Sequence, residues 1–75
     1  MYTLRLRCEH VWVDARLAMI NGRWIASADT PEGLSLGLAW TPRFALRRAL
    51  EPFDGVIDEL LATAPEELLR PGGVG

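Results

Sequence analysis

The reactive side chains that stand closest together in this sequence are those of Cys8 and His10, on either side of Glu9. If this segment is a strand, Cys8 and His10 point to the same side and could form a thiolate–imidazole pair or supply two metal ligands. A structural zinc site takes four ligands and a nucleophilic site takes a third, orienting group, and neither has a further member nearby. We therefore predict that Cys8 is a small core residue, that His10 is a turn residue, and that the protein binds no metal and no other cofactor.

Acidic pairs are the other residues whose spacing could support chemistry. Asp54 and Asp58 are four residues apart, and Glu66 and Glu67 are adjacent. Carboxylates transfer protons in catalysis only where a pocket shifts the pKa of one of them, whereas most acidic helix faces are simply solvated. The chain also has no lysine for a Walker motif and no Gly-x-Gly-x-x-Gly loop. The sequence predicts that the protein is not an enzyme.

Length and composition predict one small α+β domain over residues 1–70, followed by a disordered Pro/Gly tail at residues 71–75. A chain of 75 residues buries only about 60% of its unfolded surface, so its stability is marginal. The lone Cys8 excludes an intramolecular disulfide. With 49% hydrophobic residues, association is the remaining way to bury more apolar surface, and we expect a homodimer or a complex with another protein.

The sequence contains no run of about 18 apolar residues that could cross a membrane. Its N-terminal segment alternates apolar and polar residues and lacks the apolar stretch of a signal peptide. A single free cysteine is typical of a reducing compartment. We therefore predict a cytoplasmic protein with no membrane partner.

Charge is distributed unevenly along the chain, although the net charge is only −2. Residues 1–50 contain seven arginines and four acids, whereas residues 51–75 contain one arginine and six acids. Such an asymmetry indicates either a polar interaction surface or two segments that neutralise each other in the folded protein.

Asn21-Gly22 is the strongest local signal of structure, because both residues of a type I′ hairpin turn need positive φ. This turn places Met19 opposite Trp24 on an apolar face. The other face of the hairpin is mixed in character and carries the pairs Ile20/Arg23, Ala18/Ile25, Arg16/Ser27 and Asp14/Asp29.

Period-2 alternation predicts further strands at residues 2–8 and 34–40, in addition to the hairpin strands at residues 11–19 and 23–28. A turn at residues 29–33, with Pro31 and Gly33, separates the last two strands. In the last strand the leucines alternate with small residues, and Trp40 continues the leucine face. The leucine face is predicted to be buried, together with Trp40.

Thr41-Pro42 predicts the start of a helix, because Thr is a good N-cap and Pro is favoured at the first helical position. Apolar residues then recur at helical spacing up to Leu50, and Pro52 ends the helix. Asp54 is expected to cap a second helix in which Val56, Ile57, Leu60 and Leu61 repeat the apolar spacing, and a last turn is predicted after Pro65.

These elements predict an α+β fold in which an antiparallel meander sheet of three or four strands has one face covered by C-terminal helices. Large apolar residues on the covered face and on the facing helix stripes should form the core. The expected core residues are Leu4, Leu6, Leu17, Met19, Trp24, Leu36, Leu38, Leu46, Leu50, Ile57 and Leu60.

The second face of the sheet is predicted to bind another protein, because it is partly apolar and the helices cannot cover both faces. The predicted contact residues are Trp12, Arg16, Ile20 and Ile25, with Arg5 and Arg7 at the rim. The edge strand at residues 2–8 could add β-pairing to the interface. The alternative is that these are ordinary exposed apolar residues that do not form an interface.

The alternative to a protein-binding function is that the protein binds nucleic acid. Arginines of the sheet could contact phosphates while tryptophans stack on bases. The helix would add the arginines Arg43, Arg47 and Arg48 to this surface. Against this hypothesis, Trp24 and Trp40 are predicted to be core residues, and the C-terminal third of the chain is acidic.

Several short motifs follow one another between residues 11 and 50: Asn21-Gly22, Trp24-Ile25-Ala26, Pro31-Glu32-Gly33, Gly37, Thr41 and Ala45-Leu46. In this order they resemble the HicB-like family of small antitoxins. The resemblance implies a partial ribonuclease-H-like fold without catalytic residues and a role in masking a small ribonuclease toxin by direct binding. The chain departs from the family by its additional strand at residues 2–8 and by the absence of a DNA-binding extension after the helix. A homodimeric domain of unknown function is the remaining alternative.

Overall fold

The computed structural model describes residues 1–69, and the predicted tail at residues 71–75 lies outside the described residues. Four strands form one antiparallel sheet in the order β1-β2-β3-β4: β1 (Tyr2–Cys8), β2 (Val11–Ile20), β3 (Arg23–Thr30) and β4 (Gly33–Ala39). Three helices follow, α1 (Pro42–Ala49), α2 (Ile57–Ala62) and α3 (Glu66–Leu69), with a 3-10 turn at Glu51–Phe53. The predicted α+β fold with an antiparallel meander is confirmed, and the sheet has four strands.

Two-residue turns join the strands, which keeps every strand next to its neighbour in sequence. Asn21 and Gly22 have φ values of 51° and 79°, as a type I′ turn requires. The turn sets the predicted register, in which Met19 is the partner of Trp24. In the last hairpin Thr30 Oγ1 accepts a hydrogen bond from the amide of Glu32 at 3.1 Å and donates one to the carbonyl of Gly33 at 2.7 Å.

Helix α1 begins where the sequence predicts. The side chain of Thr41 accepts a hydrogen bond from the amide of Phe44 at 3.3 Å, and Pro42 occupies the first turn. The helix ends at Ala49, and Pro52 lies in the 3-10 turn that follows. The prediction that Asp54 caps the second helix is wrong: Val56 is the N-cap of α2 and no side chain caps it.

The core lies between one face of the sheet, which we call the covered face, and the helices. Small residues of β3 and β4 face α1 and let it approach closely. Gly37 marks the closest approach, because a Cβ atom there would overlap the carbonyl oxygen of Ala45 and lie 2.6 Å from the amide nitrogen of Ala49. The buried core residues are Leu4, Leu6, Val13, Ala15, Leu17, Trp24, Ala26, Ala28, Ala39, Ala45, Leu46, Ala49, Leu50, Leu60 and Leu61.

Four residues that were expected in the core are exposed, namely Met19, Leu36, Leu38 and Trp40. Leu36 and Leu38 are the register partners of Ser27 and Ile25, so they lie on the face opposite to α1. Met19 belongs to the covered face but lies beyond the end of β1, where no neighbour shields it. Trp40 follows β4 and projects into solvent. Of the remaining expected core residues, Ile57 is partly buried and packs against the core, and the others are buried.

Candidate protein-contact surface

The face of the sheet that points away from the helices is called the open face here. The strand register places all six predicted contact residues on it, Arg5, Arg7, Trp12, Arg16, Ile20 and Ile25. It also places Leu34, Leu36 and Leu38 there, although the sequence predicts that the leucine face of this strand is buried. The open face is therefore more apolar than the sequence predicts.

The apolar half of the open face, which we call the leucine patch, consists of Ile20, Ile25, Leu34, Leu36 and Leu38. Ile20 is 51% exposed, Leu34 60%, Leu36 65% and Leu38 41%, and Ile25 lies among them, partly buried. The exposed surface of these four side chains equals that of a little more than two fully exposed side chains. Burying that surface would contribute roughly 3–6 kcal/mol per molecule, because a fully buried large aliphatic side chain contributes about 1.5–3 kcal/mol.

A shallow depression of ≈ 270 Å³ lies at the centre of the open face. Arg16 and Ser27 form its polar side, and four residues of the leucine patch form the rest of its walls together with Met1, Leu17 and Ala18. Its lining is drawn from both middle strands and from the edge strand β4. An apolar side chain of a partner could enter this depression, because the surrounding groups are mostly hydrocarbon.

The other half of the open face holds a cluster of Trp12 with two arginines. The guanidinium groups of Arg5 and Arg7 lie 5.7 and 5.4 Å from the centroid of the Trp12 ring, within the range of cation–π contacts. Arg5 Nε also donates a hydrogen bond of 2.8 Å to Asp14 Oδ1. Trp12 thus contacts two charged groups, while more than half of its surface remains accessible to a partner.

The Arg5–Asp14 ion pair changes the ionisation of both groups. The hydrogen bond from Arg5 lowers the pKa of Asp14 below its ordinary value of 3.8, although desolvation opposes this effect. The same hydrogen bond raises the pKa of Arg5. Asp14 is therefore ionised near neutral pH and offsets one of the two positive charges beside Trp12.

The three arginines of the nucleic-acid hypothesis do not form one free basic surface. Arg47 Nη2 donates a hydrogen bond of 2.6 Å to Asp58 Oδ1, and Arg48 Nη1 donates one of 2.6 Å to the carbonyl of Leu38. Arg43 is exposed on the first turn of α1. Two of these three guanidinium groups would have to share or leave their present partners in order to contact phosphates.

A second concavity, of ≈ 500 Å³, lies where the end of β4 meets α1. Trp40 is 70% exposed at its rim, and the guanidinium of Arg23 stacks 4.7 Å from the centroid of its ring. Phe44 and Arg48 line the opposite side. The sequence predicts Trp40 in the core and therefore does not predict this groove, because the pairing of Arg23 with Trp40 joins two segments 17 positions apart.

Cys8 and His10 do not form a site with other reactive groups. Cys8 is partly buried against the core, and His10 is exposed in the turn between β1 and β2. Within residues 1–69, no three side chains of His, Cys, Asp or Glu are arranged to hold a metal ion. No helix in the same part of the chain is long and apolar enough to cross a membrane.

Comparisons with protein-family models, with curated protein sequences and with solved structures found no match to this chain. The geometry of the open face is therefore the basis for the functional proposal.

Proposed function

We propose that this protein is a non-catalytic protein-binding module whose contact surface is the open face of its sheet. The observation that carries the proposal is the leucine patch, in which large aliphatic side chains of three strands lie next to one another and all except Ile25 are exposed. A contiguous apolar surface with a charged margin is characteristic of protein interfaces rather than of ordinary protein surface.

The leucine patch favours a protein partner over a nucleic acid. Its hydrocarbon surface contributes binding energy only against another apolar surface. The open face also carries two acids, Asp14 in its ion pair with Arg5 and Asp29 beside Leu34 at the end of β3. A nucleic-acid surface would instead present positive charge continuously along the path of the phosphates.

The partner that we propose is a small ribonuclease toxin, as the resemblance to HicB-like antitoxins implies. The residues that carry the resemblance lie in β3, β4 and α1 and in the turns before them, and β3 and β4 supply most of the leucine patch. Masking a ribonuclease by direct binding needs no catalytic group on the antitoxin. With one free cysteine, the protein is expected to work in the reducing cytoplasm.

Affinity capture from the native host with variants of the open face tests this proposal. The tagged wild-type protein, Ile25→Asp and Ala62→Asp are compared with and without nuclease treatment, and the captured proteins are identified and quantified by mass spectrometry. Ala62 is exposed on α2, away from the open face, so Ala62→Asp adds the same charge as a matched control. We expect the wild type and Ala62→Asp to retain one small basic protein in near-equal molar amount.

Ile25→Asp is expected to lose that protein, because a carboxylate in the middle of the leucine patch would be buried without a partner. Circular dichroism of the purified variants checks that both retain the fold. Equal retention by Ile25→Asp would contradict the open face as the contact surface. Loss of the captured protein on nuclease treatment would favour the nucleic-acid alternative instead.

A further inference from the structure

The outer edge of β4 carries backbone groups that the sheet does not use. Arg48 Nη1 reaches the carbonyl of Leu38 from outside the sheet, which shows that this carbonyl points away from β3. Backbone groups along a strand alternate in direction with a period of two residues. The amide and carbonyl groups of Leu34 and Leu36 therefore also point outward from this edge.

Both ends of this free edge are occupied by contacts within the chain. At one end the amide of Glu32 donates its hydrogen bond to Thr30 Oγ1, and at the other end Arg48 occupies the carbonyl of Leu38. Between them, within the described residues, no side chain and no backbone group outside the sheet bonds to Leu34 or Leu36. Two residues thus present a pair of donors and a pair of acceptors to solvent, which is a template for another strand.

We propose that a second copy of this chain pairs with this edge, β4 against β4 in antiparallel orientation about a two-fold axis at Ser35. In this register Leu34 of one copy lies opposite Leu36 of the other, and each pair exchanges two backbone hydrogen bonds. This hydrogen-bond ladder uses the free amide and carbonyl groups of Leu34 and Leu36 in both copies. It ends at Glu32 and Leu38, because the amide of Glu32 and the carbonyl of Leu38 already have partners within the chain. A register shifted to centre on Leu36 would instead require the carbonyl of Leu38, which Arg48 occupies.

Charge complementarity supports a second copy as the occupant. In the proposed register Glu32 of one copy lies opposite Leu38 of the other copy, where Arg48 is bound. Glu32 and Arg48 are both exposed. The two-fold axis creates this acid–arginine juxtaposition twice, once at each end of the paired strands. An extended peptide from another protein would match this arrangement only if its own sequence carried the same two charges at the same spacing.

Pairing through β4 has a consequence for the open face. Leu34 and Leu36 of the two copies become cross-strand neighbours on one surface, at Cβ distances of about 4.5–5.5 Å. The two leucine patches then join into one apolar strip at the centre of an eight-stranded sheet. This interface does not depend on the identity of the partner that binds the open face.

The test is the mass of the full chain in solution, measured by sedimentation equilibrium up to about 100 µM, a concentration that populates dimers of micromolar Kd. The wild type is expected at twice its 8.3 kDa mass. Leu36→Pro removes one outward amide donor without removing a bond to β3, and it should be monomeric. Leu36→Val has a side chain of similar size and keeps the donor, so it should remain dimeric.

A charge exchange tests the register independently of the proline variant. Glu32→Arg alone and Arg48→Glu alone should each weaken the dimer at least tenfold in Kd, and the double variant should restore it. Ile25→Asp should remain dimeric, since Ile25 lies on the face and not at the edge. A monomeric wild type, a dimer that persists in Leu36→Pro, or a double variant without restoration would overturn the proposal. A dimer that is lost in Ile25→Asp but kept in Leu36→Pro would also overturn it and would indicate face-to-face pairing instead.

Discussion

The two faces of the β3–β4 hairpin differ in the size of the side chains that they carry. The covered face of these two strands is lined mostly by alanine and glycine, with Trp24 and Ser35 as the exceptions, and the helix α1 packs close to this backbone. The open face of the same two strands carries isoleucine and leucine, and no element of residues 1–69 covers it. On these two strands, small side chains thus mark where α1 packs, whereas large exposed ones mark where we propose that the protein packs on another molecule.

Gly37 is the position of the covered face where α1 leaves no space for a side chain. Gly37→Ala would place a Cβ atom against the backbone of Ala45 and Ala49, which cannot move without displacing α1. We expect a loss of about 2 kcal/mol or more in the free energy of unfolding, measured by urea denaturation. Ser35→Ala is the control on the same face and strand. Unchanged stability of Gly37→Ala would show that α1 does not depend on this close approach.

A matched pair of leucine truncations compares the two faces directly. Leu46 is fully buried between α1 and the sheet, whereas Leu36 is mostly exposed on the open face. Leu46→Ala should lose about 2–5 kcal/mol in the free energy of unfolding, and Leu36→Ala should stay within about 0.5 kcal/mol of the wild type under monomeric conditions. Similar losses for both variants would mean that the open face is part of the folded core.

Substitutions of Thr41 measure how much the N-cap of α1 contributes to stability. Thr41→Ala removes the side-chain acceptor of the Phe44 amide and should cost about 1 kcal/mol of stability. Thr41→Ser retains a hydroxyl acceptor and should remain close to the wild type. Thermal unfolding followed by circular dichroism measures both, and equal melting temperatures for Ala and Ser would refute the capping role.

The smallest expected effect belongs to the open face, at the Arg5–Asp14 pair. Because the pKa of Asp14 is lowered in the folded protein, its contribution to stability is present above its unfolded pKa and is lost as the pH falls through its folded pKa. Asp14→Asn should therefore be slightly less stable than the wild type at pH 7 and equally stable near pH 2. A difference that persists or grows in acid would contradict this assignment. Both groups are solvent-exposed, so the difference at neutral pH should be small.

The strand order and the first part of the helical cover could be predicted because local signals determine them. Asn21-Gly22 demands positive φ at both positions, and Thr41-Pro42 combines an N-cap with a residue that suits the first helical turn. Each signal depends only on a few neighbouring residues, so it predicts the local structure without knowledge of the rest of the fold. At the second helix the local signal was wrong, since Asp54 is a typical N-cap residue but the N-cap of α2 is Val56, which makes no side-chain cap.

The faces of β4 could not be assigned from hydrophobicity alone. Its leucines are the more apolar set, yet Gly37 and Ala39 are the buried ones, because α1 approaches the backbone too closely for larger side chains. The two-residue turn between Thr30 and Gly33 determines the register, which pairs Leu38 with Ile25 on the open face. Counting back from that turn would have placed the leucines correctly.

Site-specific photo-crosslinking in the native host tests the central claim, that the open face contacts another protein. A photoreactive phenylalanine analogue replaces Ile20 on the open face or, as the control, Glu59 on the exposed side of α2. We predict a crosslinked protein adduct from position 20, of a mass that identifies a partner other than this chain, and none from position 59. Adducts from position 59 alone, or from neither position, would contradict the assignment of the open face as the contact surface.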